Sequence, residues 1–523
     1  MTTKKLNYLD MKNILTASTL FAILVMLFAL YFRNTEDELH QRLKIVLSGL
    51  ITIDKKHQIH NPRIAVGYGS CKDIVFNGNA VIKCDHLSTN NVVENINSYE
   101  DLYNSYSYFF RHGAAAERFT PNSTLFTEIL MKVSNLESAR INVGGNAASM
   151  ANRFALEGCA VLLATSATSV FKKRFPPNVN LIGEVTDYDD IHLIFEYKTN
   201  EKCGLFTAPR ANRFILHHDY HNPRISSLNS FGLQLKQFRP HLLVISGLQM
   251  MDNYPVSKSF IEERLFSISK QIKTQSDITK IHFEMASISK KDMLLRIFDL
   301  VVPFVDSLGM NEQELANIYS LLKDKTVTLA VDSNPKISKT LDMMRQIFSY
   351  LQEARNKTDC SRPLSRLHVH TLAYQVIMIL NKSGWKNTHI AAAKASLVAN
   401  TYVCGTKEVN IDDSMLVMDE SFSISSLPGS RRVYLDNQKP VACWSENLYY
   451  ICIAPNLVCT NAKQTAGCGD NISAAGLDPT YLRGHCAVRS NLCILNRQVH
   501  TDAVLMPRFG ERSPGGCSHL RLV

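Results

Sequence analysis

A chain of 523 residues, 45% hydrophobic and 20% charged, can bury a substantial core, which excludes a disordered chain, a collagen-like fibre and a coiled coil. Lys and Arg number 57 against 47 Asp and Glu, so the net charge of +10 is mild for this length and nucleic acid is not an expected partner. Thirteen cysteines permit some disulfides without forming a dense framework.

The N-terminus comes first. Lys4, Lys5 and Lys12 precede an apolar run from Ile14 to Phe32, close to the length that spans a bilayer as a helix. Residues 1–33 are expected to form a membrane anchor or a signal peptide with a long apolar region, and both readings stay open. The charged stretch from Asn34 to Arg42 predicts a stalk or linker over residues 34–59. Asn-x-Ser/Thr tripeptides at Asn122, Asn356, Asn381 and Asn471 agree with the secretory route. The expected location is therefore the endoplasmic reticulum lumen or membrane, or outside the cell, with membrane contact only through the N-terminal segment.

From Arg63 onward, short apolar runs alternate with helical segments. Strands are expected at Ile64–Gly67, Ala160–Ala164, His241–Gly247, Ile281–Met285, Leu300–Val305 and Thr328–Val331, with a helix over Ala147–Leu156. This order predicts an α/β fold: a mostly parallel sheet covered by helices on both faces, with its ligand beyond the carboxyl ends of the strands. Tyr188–Tyr197 and Lys202–Phe206 suggest paired strands of a small β-rich lid inserted around residues 185–215.

The chemistry concentrates in Thr465-Ala466-Gly467-Cys468-Gly469-Asp470-Asn471. A glycine-rich turn running into a helix presents free amides and the positive end of the helix dipole, which suits an anion. Asp470 beside that anion is placed to take a proton from an attacking hydroxyl. Gly144, Gly145 and Asn146 open another helix, where paired glycines let a polyol approach the backbone. His282 and Glu284 share one face of a strand, and Glu314 follows in Asn311-Glu312-Gln313-Glu314. Carboxylates at strand ends suit Mg²⁺, held directly or through water.

Taken in order, these segments and Ala208-Pro209-Arg210-Ala211-Asn212-Arg213, Val305–Leu315 and His368–Leu372 resemble the eukaryotic ADP-dependent glucokinases of the ribokinase-like superfamily. The resemblance covers about residues 60–477, with 478–523 a divergent tail. It implies a monomeric, Mg²⁺-dependent enzyme that transfers a phosphoryl group from ADP to glucose, releasing AMP. On that resemblance Asp470 is the catalytic base, and the amides of Ala466, Gly467, Cys468 and Gly469 form the anion hole. Glu284, Glu314 and Asp470 then serve the metal, while Asp73, Gly144, Gly145 and Asn146 bind the sugar. Arg210, Arg213, His370 and Thr371 fall on the nucleotide side. An ATP-using sugar kinase of the same superfamily and a catalytically impaired lumenal binding protein remain as alternatives. Three departures stand out: Gly69 where an asparagine is expected, Asn471 where a small residue is usual, and the tail. A glycan on Asn471 would block the cleft, so that tripeptide is expected to be unmodified.

Overall fold

The computed structural model describes residues 8–55, 62–83, 92–252, 254–288, 290–327, 334–355 and 362–477. The expected strand at 328–331, the tripeptide at Asn356 and the tail 478–523 lie outside the described residues.

The body is a ten-stranded sheet. Seven strands run parallel, in the order Val179–Ile182, Ala160–Ala164, Arg63–Gly67, Leu242–Ile245, Lys280–Glu284, Ser307–Asn311 and Arg366–His370. Tyr374–Leu380, Tyr449–Pro455 and Ala442–Ser445 then extend that edge antiparallel. Helices cover both faces, so the central strands are apolar almost throughout; Leu242–Ile245 is buried at every residue.

Residues 300–305 are not a strand. The apolar residues Met293, Leu294, Ile297 and Phe298 recur at helical spacing, so the helix Lys291–Leu300 takes this segment to a 3₁₀ turn at Val302–Phe304 containing Pro303. The strand follows at Ser307–Asn311.

The lid is a second sheet, ordered Ala116–Phe119, Asn212–His217, Ile191–Tyr197, Cys71–Asn77 and Arg140–Gly144. It therefore takes strands from both sides of the body segment Asn146–Ile182 and is not one insertion around 185–215. Ile191–Tyr197 pairs with Asn212–His217 and with Cys71–Asn77, whereas Lys202–Cys203 pairs only with Phe206–Thr207. Period-two alternation divides its faces: Ile74, Phe76, Leu193 and Phe195 pack under helices Tyr99–His112 and Ser123–Ser134. Asp73 and His192 point the other way, toward the body.

The expected stalk is helical. A single helix runs Tyr8–Asp54, and Leu43, Val46, Leu47 and Leu50 are buried against Trp385, Ala391 and Ala392 of the body. Its apolar residues recur every three to four positions from 43 onward, which places them on one stripe. Further up, Leu20–Leu24 and Phe28 are exposed. Among the described residues no helix is long and apolar enough to cross a membrane, but several side chains of the Ile14–Phe32 run fall outside them.

Candidate active site

Lid and body enclose a cavity of about 810 Å³ at the carboxyl ends of the parallel strands. At its floor, Gly467 adopts a left-handed φ of 73° and caps the helix Cys468–Gly476. That turn leaves the Gly469 and Asp470 N–H groups without a helical acceptor beside the cavity. Cys468 N–H turns back to the Thr465 carbonyl at 3.4 Å, while Tyr402 Oη donates to the Ala466 carbonyl at 2.6 Å and holds the turn in place. Gly469 has no room for a side chain, since a Cβ there would sit 2.8 Å from His370 Nε2.

Asp470 lies in the first turn of this helix and is buried. Asn146 Nδ2 donates to its Oδ1 at 2.8 Å, and Gln249 Nε2 donates in turn to Asn146 Oδ1 at 2.5 Å. Burial pushes the Asp470 carboxyl up to about 6, opposed by the Asn146 hydrogen bond and the Arg213 charge. A carboxylate of that pKa is ionised at neutral pH yet basic enough to accept a proton.

Glu284 stands at the end of its strand, with His282 Nε2 2.9 Å from its Oε2. Glycine is required opposite it: a Cβ at Gly309 would lie 2.1 Å from the same oxygen. Glu314 closes a capping box on the helix Glu312–Asp324, accepting from Asn311 N–H at 2.9 Å and Asn311 Nδ2 at 3.0 Å. Burial, then the Asp470 charge, raises Glu284 well above the carboxylate range; burial raises Glu314 to about 7. Three buried acids, with the Asp470 charge raising both glutamates, suit a cation. Among the described residues, the acid, His and Cys groups with ligand atoms within 4.8 Å of one another are Cys71–Asp73–His192 and His192–His217–Asp219. Glu284, Glu314 and Asp470 stand wider apart than that, which fits Mg²⁺ held through its water shell.

The lid supplies the opposite wall. Cross-strand register sets Asp73, His192 and His217 side by side on neighbouring strands. His192 Nε2 meets Asp219 Oδ2 at 2.9 Å, and its Nδ1 lies 3.7 Å from Glu117 and 3.9 Å from Asp73. Burial alone would lower the His192 pKa, but Asp219 overrides it and the imidazole is raised to about 10. Asp73 is pushed up to about 6 by burial, with His192 opposing. Gly144 does not line the cavity; it backs Asp73, whose Oδ1 would lie 1.9 Å from a Cβ there. Gly145, at φ 90°, and Asn146 do line it.

On the remaining side, His370 and Thr371 lie at the end of the last parallel strand, and burial lowers His370 to about 4. Arg213 faces the cavity and its charge reaches Asp470 and Cys468. Arg210 is committed to the lid–body seam, donating to the Gly113 carbonyl at 2.7 Å and to Glu312 at 3.2 Å. Asn471 Nδ2 donates to the Gly467 carbonyl at 2.9 Å and the residue is buried, so the folded chain offers no acceptor for a glycan there.

The structure thus gathers the sequence-predicted residues, Gly144 apart, around one cavity. Sequence reasoning missed Glu117, His192, Asp219, Asn222 and Gln249. A polar residue at the period-two position of an apolar strand was a readable sign for His192; nothing local marks the others.

A glycine turn at a helix N-terminus, a buried carboxylate beside it and a lid over a mostly parallel sheet are the layout of a ribokinase-like fold. Comparison with known proteins narrows it. The ADP-specific Phosphofructokinase/Glucokinase conserved region matches residues 62–478. The chain is 33% identical to the ADP-dependent glucokinase of Bos taurus over 81% of its own length and 85% of the relative's. It is 26% identical to the probable ADP-dependent glucokinase of Caenorhabditis elegans over 79% and 84%. A solved ADP-dependent kinase in complex with fructose 6-phosphate and ADPβS superimposes with a TM-score of 0.58 at 20% identity, covering 86% of this chain and 98% of that one. This last likeness shows the ribokinase-like fold. The chain belongs to the ADP-specific phosphofructokinase and glucokinase family.

Proposed function

We infer that the protein is an ADP-dependent glucokinase, transferring the β-phosphoryl group of ADP to the 6-hydroxyl of glucose and releasing AMP and glucose 6-phosphate. The observation that carries this is the position of Asp470 at the helix N-terminus, in one cavity with the polar face of the lid. The likeness to the bovine and nematode relatives supports the donor and the sugar.

Asp470 accepts the hydroxyl proton as the oxygen attacks phosphorus. Asn146, fixed by Gln249, holds the carboxylate so that its second oxygen meets the sugar. The helix amides beyond Gly467 and the Arg213 guanidinium stabilise negative charge on the transferring group. Glu284, Glu314 and Asp470 would hold Mg²⁺, which supplies charge neutralisation on the phosphates. The lid excludes water, so hydrolysis of the donor is suppressed. The cavity is complete within one chain, which supports a monomer.

The test is a coupled assay with glucose and either ADP or ATP. Equal yields of AMP and glucose 6-phosphate with ADP are expected. Absence of AMP, or faster turnover with ATP, would overturn the assignment.

The N-terminal helix is proposed as an anchor or signal that brings the domain into the endoplasmic reticulum. The exposed apolar residues Leu20–Leu24 support it, as do the disulfides Cys404–Cys459 and Cys443–Cys452, which persist in oxidising compartments. Protease protection in sealed microsomes is expected; digestion without detergent would sink the idea.

A further inference from the structure

Beside Asp73 the cavity wall contains a residue to which neither the sequence motifs nor the mechanism assigns a role. Asn222 belongs to the short helix His221–Arg224, and its backbone N–H donates to Asp190 Oδ2 at 2.7 Å. The same Asp190 carboxylate takes the N–H groups of Tyr220 and His221, so the turn is tied down at three points. The Asn222 carboxamide is equally fixed. Its Nδ2 donates to the Ser70 carbonyl at 3.1 Å and to Asp219 Oδ2 at 2.7 Å. Both partners are pure acceptors, which settles which end of the amide is nitrogen. Oδ1 must then face away from them, and it lies against Gly69 at the cavity wall, where both residues line the open space. No described protein group donates to this oxygen.

Gly69 makes the arrangement possible. Its φ is 89°, and a Cβ there would sit 2.4 Å from Asn222 Oδ1. Any side chain at 69 would displace the amide oxygen. Gly69 stands where an asparagine is expected, and the geometry places another oriented acceptor in the same space.

We propose that Asn222 is a sugar-specificity residue: Oδ1 accepts the proton of one ring hydroxyl of the bound hexose, and Gly69 keeps the space for it. Asp219 serves both sides of this wall, taking Nδ2 of Asn222 and Nε2 of His192, so acceptor and imidazolium are held by one carboxylate. The proposal rests on the glucokinase reading. A hydroxyl lost from the substrate would leave Oδ1 desolvated and unpaired, which discriminates against the deoxy analogue.

The experiment measures kcat and KM for glucose and for its 1-, 2-, 3- and 4-deoxy analogues with the full chain and with Asn222→Leu, which is near-isosteric and cannot accept. The wild-type chain is expected to discriminate against one analogue by about 10- to 100-fold in kcat/KM. Asn222→Leu should lose a similar factor on glucose, mostly in KM, and turn over that one analogue as wild type does. The KM for ADP should not move. Gly69→Ala, which pushes the oxygen aside, should show the same analogue pattern. Uniform loss across all sugars, or no loss, overturns the proposal. Should Asn222→Leu fail to fold, the Gly69→Ala pattern decides alone. A wild-type chain inactive on glucose with ADP would instead fail the functional reading itself.

Discussion

The two ends of the cavity handle buried charge in opposite ways. At the end proposed for the sugar the protein pairs its own groups: His192 is held by Asp219, and Asp190 takes three backbone N–H groups. Asp219 is accordingly held well below the carboxylate range by His192, against the opposing effect of burial. At the end proposed for the phosphates burial raises Glu284, Glu314 and Asp470, and the Asp470 charge raises both glutamates further, with Arg366 opposing at Glu284 and Arg213 at Glu314 and Asp470. A preorganised polar wall suits a neutral polyol, whose hydroxyls meet donors and acceptors already in place. Excess negative charge suits a ligand that arrives with its own cation, because the deficit is made good only on binding.

That contrast can be broken at either end. The largest effect is expected for Asp470→Asn, which removes the base: kcat should fall about 100- to 10,000-fold, with ADP affinity by calorimetry nearly unchanged. A rate near wild type would take the base away from Asp470. Glu284→Gln should lower activity about 10- to 100-fold, with saturation only at higher Mg²⁺, as for a group acting through the metal's water shell. Unchanged Mg²⁺ dependence would detach Glu284 from the cation.

At the sugar end Asp219→Asn removes the anion that keeps His192 protonated. Burial then dominates, the imidazole becomes neutral near pH 7, and the KM for glucose should rise about tenfold with kcat little changed. A matching fall in kcat would mean that the two ends are not separable. The smallest effect concerns pH. Asp470 acts ionised and its pKa is about 6, so at saturating sugar kcat should fall tenfold per unit below that value. The Asn146 hydrogen bond lowers this pKa, so Asn146→Ala should move the acid limb to higher pH. A limb that stays in place, read from a kcat–pH profile, would mean that another group sets it.

The phosphate end was legible because its chemistry is nearly contiguous. Ala466 to Asp470 sit on one turn, and His282 with Glu284 on one strand, so spacing alone put them together. The sugar end was not. Glu117, His192 and the Asp219–Asn222 segment are well separated along the chain, and apart from His192 each is a common residue in an unremarkable local pattern. The strand at 300–305 failed for another reason: a short apolar run does not distinguish a buried strand from the end of a buried helix. The supposed stalk failed because its charged start concealed the apolar stripe from Leu43 to Leu50.

By itself the sequence determined the alternation of strand and helix, the glycine turn before Asp470 and the family, because period and local turn chemistry are encoded in neighbouring residues. Only the tertiary structure decided that the lid takes strands from both sides of a body segment, that Asp219 charges His192, and that Gly69 is filled by Asn222 Oδ1. Those outcomes depend on cross-strand register and on space shared by residues more than a hundred positions apart, which no local pattern records.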